Sequence, residues 1–247
     1  IGWVAYREER FDEAMDYFRT LIESNPHRPF GDESQYWIGW SHFRKREFYK
    51  AIDEFQRLAQ KYPESPHVPS ALLKIGDSHY NLQGYAQAAN SYSHVVRAYP
   101  KSKEAPEADF GILLCLVQEK KYDSFVSRVD TFLKRYPQHD LSSQALMQLG
   151  DYYQREGMKE KAVKAYRELI SLYPNSEWAE EAQFNIALLF RLDKKWAEAV
   201  EELDKVIRRS PKGRLFVEAR IEQGGLYLLL KDYPKAIEQY EWVIKNH

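Results

Sequence analysis

Histidines, one cysteine and paired acids are the residues of this sequence that could carry chemistry. His42 and His79 stand 37 residues apart and would share a metal ion if they occupied neighbouring helices, although one packing slot filled twice explains the same spacing. Cys115 lies in an apolar run, which is typical of a small buried core residue. Adjacent acids such as Glu180 and Glu181 point in different directions on a helix. We therefore expect no enzyme, no metal site and no cofactor.

Composition and missing motifs argue against several further classes of protein. Lys plus Arg number 36 against 37 for Asp plus Glu, whereas a nucleic-acid-binding protein usually carries a basic excess. The sequence also lacks the glycine-rich nucleotide loops and the GxSxG and HExxH motifs of hydrolases. The apolar run at 112–117 is far shorter than the roughly 20 residues of a membrane helix. We expect no nucleic-acid partner and no direct membrane insertion.

A repeat of 37 residues runs through the whole chain. Each repeat contains a small residue, a second small residue twelve places later, a bulky residue four places after that, and a proline. The first small position is occupied by Gly2, Gly39, Gly76, Leu113, Gly150, Ala187 and Gly224. The second is occupied by Ala14, Ala51, Ala88, Phe125, Ala162, Ala199 and Ala236. The bulky residues are Phe18, Phe55, Tyr92, Val129, Tyr166, Leu203 and Tyr240, and the prolines are Pro26, Pro63, Pro100, Pro137, Pro174 and Pro211.

These marks predict two helices in each repeat. Proline ends the preceding helix, and the small positions let the two helices of one repeat cross closely, while the bulky residue fills space between successive repeats. In the third repeat we expect a first helix over 65–82 and a second over 85–98. Ser65 is the expected N-cap and Pro66 the first helical residue. Equivalent N-caps are expected at Ser102 and Ser176.

The fold class that follows is all-α. A lone helix pair cannot bury its apolar stripe, so successive pairs must stack into a solenoid of antiparallel helices. We expect a single solenoid over 1–247, with a partial repeat at 1–31, full repeats at 32–68, 69–105, 106–142, 143–179 and 180–216, and a partial repeat at 217–247. Because the chain opens with Ile1 inside a repeat, we expect it to be a fragment of a longer protein.

The Gly–Ala–Phe/Tyr–Pro pattern resembles the tetratricopeptide repeat, whose usual length is 34 residues. The longer repeat and turns such as Tyr62-Pro63-Glu64-Ser65 are similar to those of bacterial envelope members, namely the Tol–Pal-associated division coordinator and the lipoprotein of the barrel-assembly machine. The resemblance implies a right-handed superhelix and a periplasmic or outer-membrane-associated location. The residues themselves leave the location unknown.

The resemblance also implies that the first helices line a concave groove that takes a peptide or protein segment. Aromatic anchors and polar groups alternate there, although several of these residues would serve equally well as packing between repeats. The expected partner-binding residues are Trp40, Phe43, Arg44, Asp77, Tyr80, Asn81, Leu114, Gln118, Asp151, Gln154, Arg155 and Arg191. A scaffold within a bacterial multiprotein assembly is the predicted function. The alternatives are self-assembly into homo-oligomers, or the scaffold region of a larger protein.

Two further features have open interpretations. The turns inside the repeats carry a largely basic row that would meet an acidic protein or anionic surface, or would simply be solvated. Its members are Arg46, Gln83, Lys120, Gly157, Lys194 and Lys231. The fourth repeat departs most from the pattern, with Leu113, Phe125 and Val129. Either the three changes compensate one another in volume, or they alter the local pitch of the superhelix.

Overall fold

The computed structural model describes residues 1–24, 30–211 and 213–246. In this part of the chain every regular element is an α-helix, fourteen in all, which confirms the all-α prediction. The first helices of the pairs are α1 (Gly2–Arg7), α3 (Gly31–Arg44), α5 (Val68–Asn81), α7 (Ala105–Gln118), α9 (Asp140–Arg155), α11 (Trp178–Leu192) and α13 (Phe216–Leu229). The second helices are α2 (Phe11–Ser24), α4 (Phe48–Lys61), α6 (Tyr85–Ala98), α8 (Tyr122–Arg135), α10 (Lys159–Leu172), α12 (Trp196–Arg209) and α14 (Tyr233–Asn246).

The helices belong to two compact modules, an N-terminal module, Ile1–Phe132, and a C-terminal module, Leu133–His247. Within the N-terminal module α3 packs on α4 and α5 on α6, and the first helices α3, α5 and α7 also contact one another in sequence. The C-terminal module repeats this pattern from α9 to α14, with α9 against α11. The first helices α3, α5 and α7 of the N-terminal module, and α9 and α11 of the C-terminal module, therefore lie side by side and form the first-helix face of each module.

The small positions are where the two helices of a pair meet. A Cβ atom built on Gly39 would lie 2.6 Å from Cε1 of Phe55, so only glycine admits this ring. The bulky residue Phe55 therefore packs against the first helix of its own repeat. The expectation that the bulky residue fills only the space between successive repeats is wrong. Tyr92 does both, because its ring lies between Gly76 of its own repeat and Gly111 of the next.

Each first helix ends in the same turn. In α3 the amide of Glu47 donates to the carbonyl of His42 and that of Arg46 to Phe43, both at 2.9 Å, which is the Schellman arrangement. Arg46 has a φ of 60°, in the left-handed region. The same conformation recurs at Glu9, Gln83, Lys120, Gly157, Lys194 and Lys231. The basic row thus has a structural reason, because cations stabilise helix C-termini. Its binding to an anionic partner stays a prediction.

The loops between pairs correct the predicted helix starts. α5 begins at Val68 with His67 at the N-cap, and α6 spans the predicted 85–98. Ser65 instead accepts a hydrogen bond from the amide of His67 at 3.2 Å, so it caps the turn before the helix. Ser102 and Ser176 likewise precede helices that begin at 105 and 178, and Pro66 is not helical.

The prolines lie where the pattern predicted, after the second helices. Pro63, Pro100, Pro137, Pro174 and Pro211 each follow a second helix by two residues. Pro26 lies outside the described residues.

The fourth repeat keeps a closed core. Leu113, Phe125 and Val129 are each at most 1% exposed, so two enlargements and one reduction fit together. That burial supports compensated packing. A change of superhelical pitch stays a prediction.

Candidate protein-binding surface

All twelve residues expected to bind a partner lie on first helices. Eight lie on α3, α5 and α7 of the N-terminal module, and Asp151, Gln154, Arg155 and Arg191 lie on α9 and α11 of the C-terminal module. None of the twelve is fully buried. The exposed ones are Arg44, Asn81, Gln118, Arg155 and Arg191, and the half-buried ones are Trp40, Phe43, Asp77, Tyr80, Leu114, Asp151 and Gln154.

An aromatic ridge runs along α3. Tyr36, Trp40 and Phe43 follow one another at helical spacing, with ring centroids 6.3 Å and 5.5 Å apart in edge-to-face contact. Nζ of Lys74, on the neighbouring first helix α5, lies 5.0 Å from the centroid of Trp40 and 5.4 Å from that of Phe43. The ridge is therefore both a packing element between repeats and a half-exposed surface.

Tyr36 and Lys74 are not among the twelve predicted partner-binding residues. Tyr36 stacks on His67 with ring centroids 4.7 Å apart, and its hydroxyl lies 2.7 Å from Oγ of Ser70. Lys74 forms an ion pair with Asp77 at 2.5 Å. A signal for Tyr36 was its place one helical turn before Trp40. Lys74 carried none, because it is one lysine among many.

Asp77 and Asp151 are already engaged by the second helices of their own repeats. The hydroxyl of Tyr92 donates to Asp77 at 2.8 Å, and that of Tyr166 donates to Asp151 at 2.7 Å and to Gln154 at 2.9 Å. Burial raises the pKa of Asp151 and of both tyrosines above their ordinary values. These polar residues therefore hold the packed tyrosines in place, which is the packing role that the sequence analysis left open.

The remaining polar residues of the set form pairs along the face. Arg44 donates to Glu9 at 2.7 Å, and Arg191 forms an ion pair with Glu222 on α13 at 2.5 Å. Burial raises the pKa of the Tyr80 hydroxyl on α5. The face is thus an ordered surface of aromatic and amide groups in the N-terminal module.

The residues first considered for chemistry have other partners. Nδ1 of His42 lies 2.6 Å from Glu47, and burial lowers the pKa of His79. Cys115 is fully buried, and burial raises the pKa of its thiol to about 12. Across the described residues, no three His, Cys, Asp or Glu side chains are grouped to hold a metal ion. None of the helices described is long and apolar enough to cross a membrane.

The fold and this face define the class of protein, the tetratricopeptide repeat proteins. Tetratricopeptide repeat models match residues 1–28 and 181–213. A tetratricopeptide repeat protein from Parabacteroides merdae is 15% identical with a TM-score of 0.60, covering 99% of this chain and 90% of that one. The C-terminal part of a tetratricopeptide repeat protein from Cytophaga hutchinsonii is 13% identical with a TM-score of 0.72, covering 99% of this chain and 93% of that one. The MamA protein is 20% identical with a TM-score of 0.57, covering 75% of this chain and 94% of that one. At these identities the likeness shows the fold alone.

A family model also identifies one family within that class. The model of the YfiO family, described as outer membrane lipoprotein, matches residues 31–192, which is more than half of the chain. The chain belongs to this family. Among curated proteins, none matches the sequence significantly.

Proposed function

We propose that this protein is a protein-interaction scaffold of a bacterial envelope assembly, and that the first-helix face of its N-terminal module captures a segment of a partner protein. The observation that carries the proposal is the half-exposed aromatic ridge of α3. Half-buried Tyr80, on the neighbouring first helix α5, packs against the same core. Membership of an outer-membrane lipoprotein family supports the envelope setting.

The surface suits a peptide because its anchors are rigid. Lys74 and Ser70 fix the ridge from the neighbouring helix, so little side-chain freedom is lost when a partner binds. Exposed Asn81 and Gln118 supply hydrogen-bonding groups beside Tyr80 and Leu114. Large aromatic anchors bordered by amides are the usual composition of binding hot spots.

Site-specific photocrosslinking in producing cells tests this proposal. A benzoylphenylalanine at Asn81 or Gln118 should give adducts with an envelope protein. Matched probes at Tyr17 and Tyr49, exposed on second helices of the same module, should not. Equal adducts at all four positions would contradict capture on this face. Adducts at Asn81 and Gln118 with cytoplasmic proteins alone would contradict the envelope setting.

A mutational test complements the crosslinks. Tyr80→Ala should weaken capture of the crosslinked partner about tenfold or more while helicity is kept, whereas Tyr49→Ala, on exposed second-helix surface, should not. Unchanged capture by Tyr80→Ala would rule out Tyr80 as an anchor.

A further inference from the structure

One place on the first-helix face is exposed in every repeat. The residues at this place stand near the C-terminal end of the first helix, and each is exposed in the structure. In the first five repeats that reach it the residue is polar. The series is Arg7, Arg44, Asn81, Gln118, Arg155, Leu192 and Leu229. Only the last two are apolar, and both lie in the C-terminal module.

We name these two residues, Leu192 and Leu229, the leucine patch. Leu192 is 61% exposed and Leu229 49%. Because polar residues at the same place are also exposed, this exposure is a property of the repeat and does not depend on the end of the chain. Arg191 on α11 forms an ion pair with Glu222 on α13, so Leu192 and Leu229 hold the same place on two helices that approach each other.

Gly225, one helical turn before Leu229, has no side chain, and the space that a side chain would take there is the hollow at Gly225. A Cβ atom built on it would meet no atom closer than the Tyr240 hydroxyl at 3.6 Å, so helix packing does not demand glycine there. In contrast, one built on the adjacent Gly224 would lie 2.8 Å from the Tyr240 ring. In the other repeats the equivalent residues, all larger than glycine, are Trp40, Asp77, Leu114, Asp151 and Leu188. The missing side chain leaves room for an apolar group of a partner.

Two lysines border the patch. Lys194 and Lys231 follow Leu192 and Leu229 by two residues, in the exposed turns that end α11 and α13. No ion pair to either lysine occurs within the ranges that the structure describes, whereas Arg191 is neutralised by Glu222 at 2.5 Å. The charge beside the leucines is therefore positive and available to a carboxylate.

We propose that the leucine patch binds an amphipathic helical segment of a partner, with leucine-like anchors on one face and carboxylates at the end that meets Lys194 and Lys231. The anchors would cover Leu192 and Leu229, and one would enter the hollow at Gly225. This proposal rests on the proposed function only in placing a protein partner on the first-helix face. It uses residues of the C-terminal module alone.

Fluorescence anisotropy with two synthetic peptides tests the proposal on the whole chain. Both peptides are amphipathic helices with leucines at i, i+3, i+4 and i+7, one ending in glutamates and the other in lysines. The glutamate peptide should bind at least about tenfold more tightly at low salt, and added salt should reduce that preference. Equal binding of the two peptides would overturn the charge assignment, and no binding of either would overturn the site.

Variants locate the binding. Leu192→Gln with Leu229→Gln introduces a residue that Gln118 already places at this exposed position, so folding should be kept while binding falls about tenfold or more. Leu172→Gln, at a leucine that is 56% exposed on second helix α10, is the matched control and should bind normally. Gly225→Leu should fill the hollow and block binding, and Lys194→Gln with Lys231→Gln should abolish the preference for glutamate.

The outcomes separate this proposal from its rivals. Loss of binding in Leu172→Gln to the same degree would show non-specific apolar contact and overturn it. A dimer that disappears in Leu192→Gln with Leu229→Gln, without peptide binding, would assign the patch to a second copy instead. Tyr80→Ala, which tests the proposed function in the N-terminal module, should leave peptide binding here unchanged, so the two can fail separately.

Discussion

The hydroxyl of Tyr166 on α10 donates a hydrogen bond to Oδ1 of Asp151 on α9 at 2.7 Å. The hydroxyl of Tyr92 donates the equivalent bond to Asp77 two repeats earlier, at 2.8 Å. Where the second helix has Phe55, the place of the acid is held by Trp40. The acid thus accompanies the buried hydroxyl, and the two places act as a matched pair.

Removing that hydroxyl should destabilise the chain. Tyr166→Phe leaves half-buried Asp151 without this donor, and we expect a loss of about 1–2 kcal/mol in the free energy of unfolding, measured by urea titration. Asp151→Leu combined with Tyr166→Phe should recover most of it, because the half-buried carboxyl is then removed together with its donor. Tyr240→Phe is the control, since Gly225 takes the place of the acid there, and should change little. An equal loss in both tyrosine variants would refute the pairing.

The raised pKa of Asp151 predicts a pH-dependent effect of Asp151→Asn. Since burial favours the protonated carboxyl in the folded chain, this residue's contribution to stability is complete below its ordinary pKa of about 3.9 and is lost as pH rises through the raised value. Asparagine stays neutral. The variant should therefore gain stability relative to the native chain as pH rises above about 4, in urea midpoints. Glu64→Gln, at an exposed loop residue, is the control. A difference that is constant with pH would contradict the prediction.

Two adjacent glycines should respond oppositely to alanine. Gly224→Ala would place a methyl group 2.8 Å from the ring of Tyr240, so we expect a loss of about 1–3 kcal/mol. Gly225→Ala meets only ordinary contact at 3.6 Å and reduces the freedom of the unfolded chain, which should stabilise by about 0.5–1 kcal/mol. Thermal unfolding of the two variants checks this, and the same sign in both would disprove the packing difference.

Buried polar pairs link the two helices of several repeats, always 19 residues apart. Gln35 pairs with Glu54 at 2.5 Å, and Gln183 with Glu202, whereas the fourth repeat pairs fully buried Asp109 with Arg128 at 2.5 Å. Arg128→Glu would place two acids together, and we expect a loss of about 3–5 kcal/mol in urea unfolding.

Restoring complementarity at this pair should recover stability. Asp109→Gln added to Arg128→Glu recreates the Gln–Glu pair of the other repeats and should regain most of the loss. No recovery would show that the pairing is not interchangeable between repeats.

The fold could be read from the sequence because its causes are local and repeated. Gly39 and Phe55, or proline after each second helix, recur at fixed spacing and act within one helix pair. The start of α5 was wrong because serine caps a turn as readily as a helix. Ser65 does the former, and its residue type does not distinguish the two.

The surface was harder to predict because a polar residue of a first helix can contact either a partner protein or the second helix of its own repeat. Asp151 looks like a free groove residue in sequence, but its partner Tyr166 lies fifteen residues later on another helix. Aligning the repeats would have shown that acid and tyrosine occur together. The same alignment would have shown polar residues giving way to Leu192 and Leu229, a signal that sequence reasoning passed over.

The two kinds of place on the first helix have different freedom to change over evolutionary time. A mutation at Asp151 requires a compensating mutation at Tyr166, because otherwise the buried hydroxyl loses its hydrogen-bond acceptor. A mutation at the place of Asn81 or Leu192 changes an exposed side chain and leaves the core as it was. Descendants of such a chain can therefore acquire new partners repeat by repeat, at positions whose alteration the rest of the molecule does not feel.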